Sequence, residues 1–416
     1  MEKDSIVILT IYNTKKNSKK LKIYTLQLSV IILNYNVRYF LELCVLSVQK
    51  ALETIEGEII VIDNNSSDDS CTMMKQRFPK VKLIQNKENV GFPKGNNIGV
   101  AQAQGEYICI LNPDTVVAED TFTKVLAFAK RQKNLGIVGC KLIDGAGNFL
   151  PESKRGVPTP WVAFTKISGL YKLFPKSKIF GEYYAGHLNE NQTGKVAILV
   201  GAFMVMKRDL YLEVGGFDED CFMYSDDIDL SYQILKKGKS NYYFDESAVI
   251  HYKGESTIKD ETYLKRFQEA MQFFYKKHFK VSVLFSAFMN IGIVFFSLIK
   301  MFQGKTLPNF GVKRTPKSFL LCSANEKLLN KLRLVLQNKV AFHDLKTEKM
   351  VNLYSVKNKE ATEVILDNEF ISFKESIAIL ESHKNKGFTF KILPKNADFL
   401  IGSNNSNERG EVVKTE

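Results

Sequence analysis

Asp226, Asp227 and Asp229 put three carboxylates within four positions of "MYSDDIDL", in a chain of 416 residues with a formal net charge of +13. Like charges this close repel and raise one another's pKa, so the arrangement calls for a site that uses it. Three other polar groups have types suited to chemistry. In "DNNSSD", Asp63, Asn64, Asn65 and Ser66 can accept from and donate to a pyrimidine base and a ribose, although Asx-rich stretches also make plain turns. In "NKENVGFPKGNNIG", Gly91, Gly95 and Gly99 permit close backbone approach and Lys94 offers a cation, as in a diphosphate-facing loop or an elaborate turn. This stretch is neither a Walker loop nor GxGxxG. In "LNPDTVV", Asp114 with Asn112 beside it suits Mg2+ or Mn2+, and equally suits a cap for a helix beginning near Glu119.

These groups need elements that bring them to one place. "LSVIILN", "EIIVID", "VKLIQN" and "YICILN" are short, rich in Val and Ile, and end in polar residues, which predicts parallel strands of a doubly wound sheet. "VRYFLELCVLSVQKAL" and "SDDSCTMMKQRF" between them carry helical spacing, with Ser67 as an N-cap for the second. Ligands of such sheets bind beyond the carboxyl ends of the strands, where Asn34, Asn36, Asp63 and Asn112 fall. From 136 to 252 the pattern turns mixed, with a hairpin at "GAGN", one buried strand over 195–206 and further strand in "NYYFDESAVIHY". "DDIDLSYQILKKG" predicts a helix stopping at Gly238, so the carboxylates sit at a helix N-terminus, where the macrodipole tolerates them.

The boundaries expected are an N-terminal extension at 1–27, the α/β domain at 28–257, a basic amphipathic helix and apolar segment at 258–300, a linker at 301–317, a small α/β module at 318–403 and a mobile tail at 404–416. Within the third unit, 281–299 is uncharged and close to the span of a bilayer core, though Asn290, Gly292 and three serines make insertion marginal. Tyr275, Lys276, Lys277, Lys280 and Lys300 flank it as interface anchors, while a buried domain helix is the other reading. Ser372 and Glu375 form a capping box in the small module. Six cysteines without a CxxC pair argue for a reducing compartment, and residues 1–26 lack a signal-peptide pattern. The 58 Lys and Arg cluster in runs that suit anionic surfaces.

Taken in order, "SVIILNYN", "IIVIDNNSSDDS", "NVGFPKGNNIG", "ILNPDTVV", "GAFMVMKRDLYLEVGGFDE", "MYSDDIDLSYQILKKG" and "VIHYKGEST" resemble the family 2 glycosyltransferases, especially their rhamnosyltransferase-like branch. The resemblance implies a GT-A fold with a mixed central sheet, a dTDP- or UDP-sugar donor, a divalent metal (Mn2+ or Mg2+) and inversion at the anomeric carbon. It matches Asp63 to the base-reading acid and Asn36, Asn65, Gly91, Phe92 and Asn96 to nucleotide-pocket positions, with Asn34 and Lys94 beside them. Asp114 matches the last acid of the metal-binding DxD motif, and Asn112 replaces the first. His251, readable by itself as a strand-end residue, resembles the histidine that completes the metal site. "DDID" resembles EDxD, whose second acid is the general base, here Asp227 between Asp226 and Asp229. Gly201, Ala202 and Trp161 are acceptor-side expectations, Trp161 as a sugar-stacking ring.

The implied reaction moves a sugar, with rhamnose from dTDP-rhamnose the branch's suggestion, to a hydroxyl of a glycan or lipid-linked acceptor of surface-polysaccharide assembly. The implied location is the cytoplasmic face of the inner membrane, peripheral or single-span, on an acidic membrane surface and with no nucleic acid as partner. Departures are Gln233 where relatives usually carry Arg, Asp226 where Glu is commoner, and Pro93 in the glycine-rich stretch. A catalytically inactive glycan-binding or scaffolding protein of the same fold is the alternative. A sugar-phosphate nucleotidyltransferase would need a Gly-rich, Lys-bearing loop after the first strand, and an EF-hand would need Gly and Glu at its sixth and twelfth positions; neither pattern is present.

Overall fold

The structure is a computed structural model that describes residues 26–167, 169–177, 179–221, 224–252, 261–279, 316, 318–349, 351, 353, 362–404 and 410–415. The chain alternates β1 (Leu26–Asn34), α1 (Arg38–Ala51), β2 (Gly57–Asp63), α2 (Ser70–Arg77), β3 (Lys82–Gln85), α3 (Gly91–Ala101) and β4 (Gly105–Leu111). These strands pair in parallel in the order β3-β2-β1-β4, so the chain's direction of travel across the sheet reverses between β1 and β4. A crevice at their carboxyl ends is the place such a sheet offers to a ligand. Burial drives the pairing, since Val30, Ile31, Ile32, Ile60, Val61, Ile108 and Ile110 are all fully buried.

The mixed part follows as β5 (Thr115–Val116), α4 (Thr121–Arg131), β6 (Leu135–Ile143), α5 (Pro160–Ile167), α6 (Leu170–Leu173), β7 (Gly194–Val196), β8 (Phe203–Lys207), α7 (Arg208–Glu213), α8 (Asp226–Lys236), β9 (Ser240–His251) and α9 (Glu261–His278). β8 lies antiparallel to both β4 and β6, and β9 runs parallel to β6 while carrying β5 and β7 antiparallel. The mixed α/β sheet expected from the resemblance is therefore present. The single strand expected over 195–206 is not: it divides into β7 and β8, and Gly201 and Ala202 leave the ladder between them for the rim of the sheet. Ser67 does not cap α2 either, because the helix starts at Ser70 and Asp68 Oδ1 accepts from the Ser70 N–H.

Two of the three glycines of the glycine-rich stretch serve packing inside a helix and do not line a loop. Only Gly91, at φ +82°, lies at the start of α3, whereas Gly95 and Gly99 sit inside the helix. A Cβ on Gly95 would lie 2.5 Å from Leu33 Cδ1, and one on Gly99 would lie 2.5 Å from Ile62 Cδ1 and 2.7 Å from Ile31 Cγ2. These glycines let α3 press onto β1 and β2. Gly99→Val is accordingly expected to lower unfolding stability by about 2 kcal/mol through overpacking, measured by urea denaturation.

The C-terminal unit holds β10 (Ser318–Ser323), α10 (Glu326–Leu336), β11 (Val340–Asp344), β12 (Thr362–Asp367), α11 (Phe373–His383), β13 (Thr389–Leu393), β14 (Phe399–Gly402) and β15 (Glu411–Lys414). Its sheet runs β11-β10-β12-β13-β14-β15, parallel up to β13 and antiparallel beyond. The capping box of Ser372 and Glu375 is formed. The expected mobile tail is instead an edge strand in part, because β15 pairs with β14 and Glu411 meets the buried Lys391 at 3.0 Å. Nor is the unit a separate appendage. Val37, Phe40, Val116, Ile250 and Tyr252 share one apolar cluster with Phe373, Ile377, Phe399 and Ile401. The Glu119 carboxylate also accepts from the Phe373 and Lys374 N–H groups, at 2.8 Å each, and so covers the N-terminus of α11.

Candidate active site

At the carboxyl ends of β1 and β2, Asp63 is buried and both its oxygens are occupied, Oδ1 by Asn34 Nδ2 at 2.8 Å and Oδ2 by the Ser66 N–H at 2.9 Å. A carboxylate retains further lone pairs, so this arrangement fixes Asp63 without exhausting it. Asn36 and Asn65 both adopt left-handed backbone, φ +57° and +63°, which Asn tolerates better than most residues. Asn36 Oδ1 accepts from the Ser67 N–H, tying the first two rim loops together, while Asn65 is exposed. Asn64 reaches the third loop through Asn89 Oδ1 and the Gly91 carbonyl. Lys94 is exposed in the first turn of α3. Asn96, expected at the nucleotide, is fully buried and donates to the Phe92 carbonyl of its own helix.

Beyond β4, Asp114 is buried, its Oδ1 has no hydrogen-bond partner, and that oxygen lies 3.4 Å from His251 Nε2. Register explains the meeting, since β5 pairs Thr115 with His251. Asn112 Nδ2 lies 3.3 Å from the same imidazole nitrogen. A buried carboxylate oxygen without a donor is costly, and a divalent cation taking Asp114, His251 and the Asn112 amide oxygen would satisfy it. The donor set fits such an ion, although among the described residues no group of three or more His, Cys, Asp or Glu assembles at one place.

The three carboxylates of α8 divide between two environments. Asp227 Oδ2 accepts from Arg155 Nη2 at 2.5 Å and from the Gly201 N–H at 3.1 Å. Asp226 is buried beside it, and burial followed by the charge of Asp227 pushes its carboxyl up to about 7. Asp229 faces the other way: it takes His278 at 2.5 Å and Lys277 at 2.9 Å from α9, and Gln233 at 2.6 Å. Asp229 therefore pins α9 to α8, because two positions along the helix turn its side chain about 200° from that of Asp227. The cluster is delivered by a turn in which Tyr224 has φ +78°, strained for a bulky residue. Arg155 escapes the sequence reading. Its only signal is a cation in "ESKRG", twelve residues beyond the end of β6, and its bridge to Ile198 is what carries it to the rim.

A short path joins the two chemical ends of this rim. Asp227 holds the Gly201 N–H, the next residue's carbonyl, Ala202 O, accepts from the Asn112 N–H at 3.0 Å, and Asn112 reaches His251 beside Asp114. A Cβ on Gly201 would lie 3.4 Å from the Phe92 ring and 3.5 Å from Asp227 Cβ, so the start of α3 closes on the same point. Trp161 lies apart in sequence from these groups and is half-exposed. Its Nε1 donates to the Ile179 carbonyl and its ring packs on Phe180, within an insert between β6 and β7.

The expected membrane anchor changes too. Tyr275 is buried with its hydroxyl on the Pro158 carbonyl, and Lys277 is paired with Asp218 and Asp229, so both hold α9 to the domain. Among the described residues no helix is long and apolar enough to cross a membrane, and the run 281–299 lies outside them.

Residues 29–215 match the family model for Glycosyl transferase family 2, a match that includes Asp63 and Asp114 and ends before α8. N-acetylglucosaminyl-diphospho-decaprenol L-rhamnosyltransferase of Mycobacterium tuberculosis is 28% identical over 244 residues, covering 56% of this chain and 78% of the relative. Rhamnosyltransferase WbbL of Escherichia coli (strain K12) is 26% identical over 222 residues, covering 49% of this chain and 78% of the relative. The crystal structure of GalNAc-T7 with UDP, GalNAc and Mn2+ aligns at 19% identity with a TM-score of 0.43, over 59% of this chain and 48% of that one.

Proposed function

From the premise that residues 29–215 form a Glycosyl transferase family 2 domain, we propose that this glycosyltransferase moves a sugar, rhamnose by analogy with its relatives, from a dTDP- or UDP-sugar to a hydroxyl of a lipid-linked or surface-polysaccharide acceptor, with inversion. The observation that carries this reading is the path from Asp227 through Gly201, Ala202 and Asn112 to His251 and Asp114. It supports a site in which the leaving diphosphate and the proton acceptor flank one carbon. The nucleotide would lie along Asn34, Asn36, Asp63 and Asn65, with Lys94 and the N-terminus of α3 toward the diphosphate. Mn2+ or Mg2+ held by Asp114, His251 and Asn112 would offset the charge developing on the departing diphosphate.

On the other side, Asp227 takes the acceptor hydroxyl's proton as that oxygen attacks the oxocarbenium-like centre. Among the described residues both of its hydrogen bonds use Oδ2, so Oδ1 is the oxygen left to the acceptor. Gly201 and Ala202 border the acceptor side, since the Gly201 N–H bonds Asp227 and its α-carbon lies against Asp227 and Phe92. The relatives' names, which specify rhamnosyl transfer and in one case an N-acetylglucosaminyl-diphospho-decaprenol, support a lipid-diphosphate acceptor and hence action at the cytoplasmic membrane surface.

The test is release of nucleoside diphosphate from a panel of dTDP- and UDP-sugars in the presence of a polyprenyl-diphosphate N-acetylglucosamine. One donor is expected to turn over, only with Mn2+ or Mg2+, giving a product of opposite anomeric configuration by NMR. No turnover of any donor, with glycan binding retained, would replace this reading with that of an inactive glycan-binding protein.

A further inference from the structure

The insert between β6 and β7 carries four large apolar side chains in the open: Leu173 at 71% exposure, Ile179 at 58%, Phe174 at 52% and Trp161 at 46%. They are contiguous. Phe180 lies 5.9 Å from the Trp161 ring and 5.5 Å from that of Phe174, and Trp161 bonds the Ile179 carbonyl. An exposed apolar cluster of this kind marks an interaction surface. Its charge selects the partner. Between Glu152 and Glu182 the sequence contains no acid, and Lys172 and Lys176 stand exposed beside the apolar side chains.

We propose that this patch docks onto an anionic bilayer surface, with Trp161, Leu173, Phe174 and Ile179 entering the headgroup region and Lys172 and Lys176 meeting acidic lipid. Aromatic and aliphatic side chains rimmed by lysine are the composition that favours the membrane interface over water or hydrocarbon. The insert that carries the patch is also rooted at the site. Arg155, at the root of the insert, holds Asp227, and Pro158 receives the hydroxyl of Tyr275 on α9. Docking there holds the root of the insert, and with it Arg155 and Asp227, close to lipid without calling on residues 281–299. The inference deepens the proposed function by saying how a lipid-linked acceptor is met, and rests on that reading for the acceptor alone.

Trp161 is the chain's single tryptophan, so its fluorescence reports this patch whatever else holds the protein on a vesicle. The full chain is mixed with vesicles of phosphatidylcholine and phosphatidylglycerol, or of phosphatidylcholine alone, carrying bromine-labelled acyl chains. A blue shift and quenching of Trp161 on the anionic vesicles are expected. Lys172→Glu with Lys176→Glu is expected to weaken partitioning roughly tenfold, and Leu173→Ser with Phe174→Ser to abolish quenching while far-UV circular dichroism is unchanged. Protein that is bound to vesicles with Trp161 unquenched, equal partitioning to both vesicle types, or no vesicle binding would each overturn the proposal. Quenching without turnover of any donor would keep the docking surface and remove the enzymatic reading, so the two fail separately.

Discussion

Asp227→Asn lowers kcat about 10³-fold, the scale of losing a general base, while the donor's KM stays within about twofold because the lost proton acceptor is not a donor contact. The substitution suits the test because Asn keeps the side chain's outline and an oxygen for the Gly201 N–H. What it removes is the charge facing Arg155 and the ability to take a proton. Steady-state kinetics with the productive donor measure the effect, and thermal unfolding of the same samples separates it from loss of fold. Transfer at the parental rate by a folded variant would remove Asp227 from its role, and with it the claim that the acceptor hydroxyl approaches α8.

The central sheet was legible because its signal is local. β1, β2, β3 and β4 are short β-branched runs ended by polar residues, and each was readable without knowledge of its neighbours. Asp63, Asp114 and Asp227 stood out because strand ends and helix starts are where such sheets concentrate polar groups, while the roles proposed for them come from the resemblance. Residues whose positions depend on contacts distant in sequence were not. Arg155 reaches Asp227 across 72 positions, and nothing near "ESKRG" announces it. Gly95 and Gly99 read as loop glycines because a helix pressed against a sheet and a phosphate loop both need the absence of a side chain, and only the packing partner distinguishes them. Asp229 shares its local sequence with Asp227, yet helical rotation gives it to Lys277 and His278 instead. The tail strand β15 was hidden for a similar reason, its apolar pair Val412 and Val413 being short and partnered only through β14.

Arg155→Met is the second large effect, and its dependence on pH distinguishes an electrostatic role from a packing one. Arg155 is bonded to Asp227 and acts by its charge on the adjacent buried Asp226, with side chains 13% and 11% exposed at the Arg155–Asp227 contact. Removing one partner of such a contact leaves an uncompensated charge, an expected loss of about 3 kcal/mol of unfolding stability at pH 8. The sign follows from Asp226, whose carboxyl is raised by burial and by Asp227, and lowered by Arg155. A raised acid binds its proton more tightly in the folded state, so stability is present below the unfolded value and is lost as pH rises through about 7. Losing Arg155 raises Asp226 further and extends that loss to higher pH. The variant should therefore lie closest to the parent near pH 5 and furthest from it near pH 8, by urea denaturation at both. Asp226→Asn reverses the trend: by itself it stabilises above pH 7 and not at acid pH, and added to Arg155→Met it restores part of the stability at pH 8. Activity of Arg155→Met should fall about 10²-fold at pH 7 and recover in part at higher pH, where Asp226 gives up its proton. A stability loss of equal size at pH 5 and pH 8, with no rescue by Asp226→Asn, would show that Arg155 acts through packing alone.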